Sequence, residues 1–334
     1  MWPHPLFCDG CAARLAVRSH ISPVGGDIEL GQRQTNLITA KRVWYEVAKS
    51  GLRSPLTSIR HWGLDSRDAF IASYPRSGNT WLRFVLFDIL APGQTAGFNE
   101  VNHIIAEVGL HGPAVPLLPG GGRLIKTHEP YRKQYQKAIY LVRDVRDVVL
   151  SEFAYQKALG WISDDFDRFL REFLRGEVNP FTPWRQHVPG WVDSPLVGTS
   201  NFLLIKFEDM RRNTEQVVND VLDFLGVIVD PKTVRDALAN NTLQRMQEKE
   251  QRSPQLSDTA PKSNGSEESR FIRSGSVGGW RNRLTDLQVE MIEHQAGDVL
   301  TCMGYQTGSR KLERLDSSAS AQCSEQHLAQ QVSR

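Results

Sequence analysis

Short apolar runs and helix-spaced apolar positions alternate along the middle of the chain. Ala69-Phe-Ile-Ala-Ser73, Lys137-Ala-Ile-Tyr-Leu-Val142 and Asn201-Phe-Leu-Leu-Ile-Lys-Phe207 read as buried strands, and Arg123-Leu-Ile-Lys126 is a shorter one that ends in Thr127-His128. Between them the period lengthens. Helices are predicted from about Thr80 to Leu90, from Asp147 to Leu159, from Thr214 to Leu225 with Gly226 as its stop, and from Pro231 to about Ala239. Strands alternating with helices predict an α/β fold, a central parallel sheet flanked by helices on both faces.

The ends differ in texture. Residues 1–65 are mixed and polar, with a short helical pattern around Leu37 to Val47, and are expected to form an N-terminal extension, partly helical or disordered. Residues 66–308 are the expected catalytic domain. Ser309 to Arg334 is a polar tail expected to lack order. Gln251 to Ser269 is dominated by Ser, Pro, Asp, Asn and Glu, with Leu256 as its only large aliphatic residue, so it cannot order itself by burial.

Composition narrows the function classes. The 334 residues are 40% hydrophobic and 23% charged with a net charge of +2, so no long-range field favours a nucleic-acid or membrane-surface partner. The apolar stretch Trp81 to Leu90 is broken by Arg83 and Asp88 and is too short for an integral membrane segment. Met1 to Arg18 has no continuous apolar core of the signal-peptide kind. Four cysteines in a chain this long are not a disulfide framework. The expectation is a soluble cytoplasmic enzyme. Cys8-Asp-Gly-Cys11 has the spacing of half a zinc site, but no second pair follows, and no metal is expected.

The chemistry begins at Ser73-Tyr-Pro-Arg-Ser-Gly-Asn-Thr80-Trp81, between the first strand and the first helix. Unpaired N–H groups and the helix dipole make such a turn an anion cradle. Gly78 lets the backbone approach closely, Thr80 offers a hydroxyl and Arg76 a permanent planar charge. The frame matches the nucleotide-triphosphatase loop G-x-x-x-x-G-K-[ST], with Ser73 for the first Gly and Asn79 for the Lys. A P-loop kinase or NTPase is therefore one reading, weakened by the missing lysine. A nucleotide-binding relative without catalysis is another.

Tyr-Pro-Arg-Ser-Gly-Asn-Thr-Trp resembles the 5′-phosphosulfate loop of sulfotransferases that use 3′-phosphoadenosine 5′-phosphosulfate (PAPS), usually Y-P-K-S-G-T-T-W. Lys137 to Ser151 is similar to that family's 3′-phosphate strand–turn–helix, and Arg123-Leu-Ile-Lys-Thr-His-Glu-Pro130 to its R-x-I-K-T-H-x-P. Phe207-Glu-Asp-Met210 resembles Y-E-D-[ML], and Phe271 to Arg281 resembles F-x-R-K-G-x-x-G-D-W-K. Five segments in the family's order span roughly Phe70 to Gly304.

The resemblance implies a P-loop-containing sulfotransferase fold, PAPS as donor and PAP as product. It implies that Arg76 and the backbone of Ser77, Gly78, Asn79, Thr80 and Trp81 hold the 5′-phosphosulfate, and that Lys126 stabilises the sulfuryl in flight. It makes His128 the general base, a role that suits a side chain titrating near neutral pH. Arg143, Ser151, Arg273, Ser274 and Gly275 would meet the 3′-phosphate. Trp81, Phe207, Thr242 and Leu243 would surround the adenine, and Gln251 to Ser269 would act as a lid. The acceptor is expected to be a small-molecule, lipid or carbohydrate alcohol, or an amine.

Several residues depart from the family pattern: Arg76, Phe207, Ser274, and Gly279 where the family has Asp, which is expected to loosen that loop end. The family's dimer segment is altered at Arg281, Thr285, Asp286 and Glu290, with Asp286 where an apolar residue is usual. Four residues are read without the family. Arg146 and Asp147 are expected in local ion pairs, Glu129 facing outward. His187, near Trp184 and Trp191, would rank beside His128 as a base without the family context.

Overall fold

The four apolar runs pair as one parallel sheet in a computed structural model that describes residues 46–47, 53–252 and 270–308. The strands are β1 Ala69–Ser73, β2 Leu124–Thr127, β3 Ala138–Val142 and β4 Phe202–Lys206, in the order β2-β1-β3-β4. Ile71 lies opposite both Lys126 and Ile139, and Tyr140 opposite Leu204. Most of the helix expected around Leu37 to Val47, nearly all of the candidate lid, the tail from Ser309, and Cys8 and Cys11 lie outside the described residues.

In chain order the helices are α1 Arg53–Arg60, α2 Asn79–Leu90, α3 Phe98–Ile104, α4 Val145–Ala158, α5 Phe166–Arg175 and α6 Trp184–Val192. They continue with α7 Phe207–Arg212, α8 Thr214–Leu225, α9 Pro231–Asn240, α10 Leu243–Arg252 and α11 Asp286–Cys302. Every residue of β1 and β3 is buried, as strands covered on both faces require. Their side chains alternate between two cores. Ala69, Ile71, Ile139 and Leu141 join α2, α8 and α9 on one face, while Phe70, Ala72, Tyr140 and Val142 join α4, α5, α6 and α11 on the other.

Local signals set the helix ends. Asp230 caps α9 ahead of Pro231, Gly226 ends α8 in the left-handed conformation at φ 72°, and Thr285 with Gln288 forms a capping box on α11. Thr285 and Asp286, in the altered dimer segment, thus start a helix, where an acid complements the dipole. Among the described residues no helix is long and apolar enough to cross a membrane.

The strand order decides where a ligand can sit. The chain leaves β1 for β2 on one side and leaves β3 for β4 on the other. A crevice therefore opens beyond the carboxyl ends of β1 and β3, the place where parallel sheets hold their ligands.

Candidate active site

The loop after β1 occupies that crevice. Arg76 has φ 68° and Gly78 φ 94°, both left-handed. A Cβ on Gly78 would lie 2.6 Å from the Met210 methyl and 2.8 Å from the Phe207 ring, so only glycine fits here. No side chain caps α2, whose first residues line a cavity of about 1070 Å³. Asn79 turns its side chain the other way: its amide donates to the Ile71 carbonyl at 2.9 Å and to Ser73 Oγ at 3.2 Å. The place of a triphosphatase lysine is taken by a buried stitch between loop and strand, so the loop lacks the side chain that a kinase would turn towards a γ-phosphate.

The cationic residues converge from separate segments. Arg143 donates to the Arg76 carbonyl at 3.0 Å and the Ser276 carbonyl at 2.9 Å, with its guanidinium 4.2 Å from the Phe207 ring centre. Its buried Nε has no partner among the described residues. Arg76 Nε donates to Ser151 Oγ at 3.1 Å and Nη2 to the Phe271 carbonyl at 3.1 Å, the guanidinium carbon 4.8 Å from the Tyr155 ring centre and 4.7 Å from that of Phe271. The side chain expected at the 5′ end is thus turned towards Ser151, a residue expected at the 3′ end. Arg273, Ser274 and Gly275 line the same cavity, and the Ser274 hydroxyl donates to Ser276.

Two carboxylates fasten this last segment. Glu250 accepts from the Phe271 and Ile272 N–H groups at 2.7 and 2.9 Å, and Asp147 from those of Gly278 and Trp280 at 2.7 and 2.9 Å. Asp147 therefore holds the loop end that Gly279 was expected to loosen, and does so instead of forming an ion pair. Arg146 does pair locally, with Asp144 at 2.8 Å, and also with Glu293 at 2.8 Å. Trp81 and Leu243 line the cavity, the indole donating to the Asn241 carbonyl at 2.8 Å. Exposed Thr242 accepts from the Arg245 N–H at 3.3 Å, a helix-start contact on α10.

At the end of β2, Lys126 donates to Glu107 at 2.9 Å. Burial would push the Glu107 carboxyl up, but Lys126, Arg60 and His128 outweigh it and hold the group below the usual carboxylate range. His128 Nδ1 lies 2.8 Å from the Ser73 carbonyl, which can only accept. The hydrogen therefore sits on Nδ1, and Nε2 keeps the basic lone pair. Burial first, then the Lys126 charge, pulls the His128 pKa down to about 3, against opposing pulls from Glu107 and the Ser73 carbonyl.

A depressed pKa means that the unfolded chain takes up this proton below pH ~6.5 while the folded chain refuses it until far lower. The stabilising contribution of neutral His128 is thus complete above pH ~6.5 and is lost as pH falls towards 3. In the donor-free protein the His128 ring resonances should stay in the neutral position from pH 8 down to about 4 in an NMR titration. A midpoint near 6.5 would contradict the environment described.

Sequence reasoning missed Glu107, Arg60 and the true setting of Glu129. Arg60, from the stretch set apart as an extension, reaches the cavity and pairs with Glu107 at 3.5 Å and Glu129 at 3.1 Å. Glu129 is buried against it rather than facing outward. His187 is fully buried; its Nε2 donates to the His128 carbonyl at 3.0 Å and its Nδ1 accepts from the Tyr140 hydroxyl at 2.9 Å. Both nitrogens are engaged, so His187 supports the backbone of His128 and does not compete with it as a base.

Comparison with known proteins accords with this geometry. The sulfotransferase-domain family matches residues 66–304. Human sulfotransferase 2B1 is 30% identical over 244 residues, covering 68% of this chain and 64% of its own length. Mouse sulfotransferase 2A2 is 28% identical, covering 75% of this chain and 92% of its own length. The crystal structure of mouse sulfotransferase SULT7A1 complexed with PAP shares the fold at TM-score 0.57 and 21% identity, covering 81% of this chain and 92% of that one. With the phosphate loop, the K-T-H strand end and this family match in agreement, the chain belongs to the sulfotransferase-domain family, a family of enzymes.

Proposed function

We propose that the chain transfers the sulfuryl group of PAPS to an acceptor hydroxyl by in-line displacement. The observation that carries this reading is the meeting of Arg76, Lys126, His128, Arg143 and Arg273, from distant segments, around one cavity whose floor is a bare helix start. These residues fit a nucleotide with anions at both ends. The backbone at Ser77 to Trp81 suits the 5′-phosphosulfate, and Arg143, with its unpartnered Nε, suits the 3′-phosphate together with Ser151, Arg273 and Gly275. PAPS supplies an activated sulfur–oxygen bond.

As the acceptor oxygen bonds to sulfur, the bond from sulfur to the 5′-phosphate oxygen breaks, and PAP departs with that electron pair. His128 Nε2 takes the hydroxyl proton. Lys126 offers its charge where negative charge grows on the bridging oxygen, the main electrostatic lever in such a transfer. The cytoplasmic location expected from composition belongs to the same reading.

Mass-detected sulfate transfer from PAPS to a panel of alcohols tests the reaction. Arg143→Ala should weaken PAP by more than it weakens the analogue lacking the 3′-phosphate, by about 10-fold or more, the worth of a lost charge-assisted contact. Equal losses for the two ligands would remove Arg143 from the 3′ end.

A further inference from the structure

The donor groups described above leave the part of the cavity lined by α3 unassigned, and α3 brings polar side chains to it. Asn99, Asn102 and His103 stand at positions i, i+3 and i+4 of α3, one helix face, and all three are exposed and line the cavity. Phe98, Val101 and Ile104 of α3 are buried, the Phe98 ring meeting Phe84 of α2 edge-on at 4.7 Å and lining the cavity beside the polar face. The helix is therefore held with its amide and imidazole groups towards the cavity. Asn102 Oδ1 accepts from Arg83 at 2.9 Å, which fixes that amide and leaves its NH₂ to donate. Arg60 and Glu107 add an ionised donor and an ionised acceptor beside Lys126. Leu150, Tyr155 and Phe181 line the cavity as well, with Phe181 5.6 Å from the His128 ring.

We propose that the acceptor is a polyhydroxylated small molecule of sugar or cyclitol type. Its hydroxyls bond to the Asn99–Asn102–His103 face, a C–H face packs on Tyr155 or Phe181, and one hydroxyl is presented to His128 Nε2. This deepens the transfer reaction proposed above and rests on it. The physical reason is desolvation. A hydrocarbon-rich alcohol with a single hydroxyl would strip water from the α3 amides, Arg60 and Glu107 and return no hydrogen bonds, a loss that a polar site converts into rejection. A polyol replaces those waters group for group. The cavity of about 1070 Å³ slightly exceeds the roughly 300–1,000 Å³ of a pocket for one drug-sized ligand, leaving room for a small acceptor beside a nucleotide.

The test uses the full chain with saturating PAPS and compares methyl glycosides and myo-inositol with a monohydroxy sterol, a simple phenol and a primary amine. PAP binding by calorimetry serves as the control on the donor site. The expected result is a higher kcat/KM for one of the polyols than for the sterol, phenol or amine. In the exposed-site variants Asn99→Leu and His103→Leu, the KM for that polyol should rise about 10-fold while kcat stays close to wild type, the scale of one or two lost side-chain hydrogen bonds. The KM of the sterol should fall or stay unchanged in the same variants.

Preference for the sterol, the phenol or the amine would overturn the inference. So would an unmoved polyol KM in both variants. PAP binding with no transfer to any polyol would overturn it while leaving the donor site standing. Absence of PAP binding would overturn the donor reading and this inference together.

Discussion

His128→Ala is expected to transfer sulfate about 10²–10⁴-fold more slowly than the wild-type protein, with PAP affinity unchanged, because a positioned general base contributes on that scale. The geometry explains why the loss should fall on kcat. The Ser73 carbonyl fixes the tautomer at 2.8 Å, and His187 holds the backbone carbonyl from behind, so the Nε2 lone pair is oriented before any acceptor arrives. The donor contacts proposed above come from the loop after β1, from Arg143 and from Arg273, and none of them runs through the imidazole. His128→Gln, which retains a hydrogen-bonding side chain without a basic nitrogen, should be nearly as slow, and added imidazole should restore part of the rate to the alanine variant. Equal turnover by wild type and His128→Ala on an active acceptor would refute the assignment.

Gly78→Ala should destabilise the fold and damage the donor loop at once. A left-handed backbone costs a residue with a Cβ about 1–2 kcal/mol. The added carbon would also stand 2.8 Å from the Phe207 ring, and overpacking of that kind costs about 1–3 kcal/mol. The Met210 methyl, at 2.6 Å, can swing away; the Phe207 ring cannot, because Arg143 lies on it at 4.2 Å. Together the two effects remove roughly 2–5 kcal/mol from a fold whose total is typically about 5–15 kcal/mol. Thermal denaturation should show a Tm lower by roughly 4–20 °C, accompanied by weaker PAP binding. A Tm within a degree of wild type and intact PAP binding would show that the loop has room that its geometry denies.

The four strands were legible because their apolar runs are unbroken, and β1 and β3 match the expected spans to within a residue. The cation-bearing motifs were legible because each is local: a turn, a strand end, a strand–turn–helix. What escaped is what arises from pairing across the chain. Glu107 carries no signal in Ala106-Glu-Val108, and acquires its place only because that stretch lies against β2. Arg60 sits in a segment with little apolar content, and Glu129 is drawn inward by it. The Asp147 clamp joins residues 131 and 133 positions apart, so the loss of the family's Asp at position 279 could not be seen to be compensated.

Some helices escaped for local reasons. α6 contains Pro189 and Gly190, which read as breakers, yet Trp184, Val188 and Trp191 bury one face and hold it together. α7 begins at Phe207, directly after β4 ends at Lys206, with no turn residue between them to mark the change.

The short stretch beside β2 has a second effect. Val108 N–H donates to the Lys126 carbonyl at 2.9 Å, and Lys126 N–H to the Ala106 carbonyl at 2.8 Å, so these three residues occupy backbone groups that the outermost strand would otherwise offer to any passing chain. Redesigning Ala106-Glu107-Val108 to admit bulkier compounds therefore carries a hazard separate from catalysis: loosening it unmasks a sticky border, and variants made there should be screened for self-association at high concentration before their rates are compared.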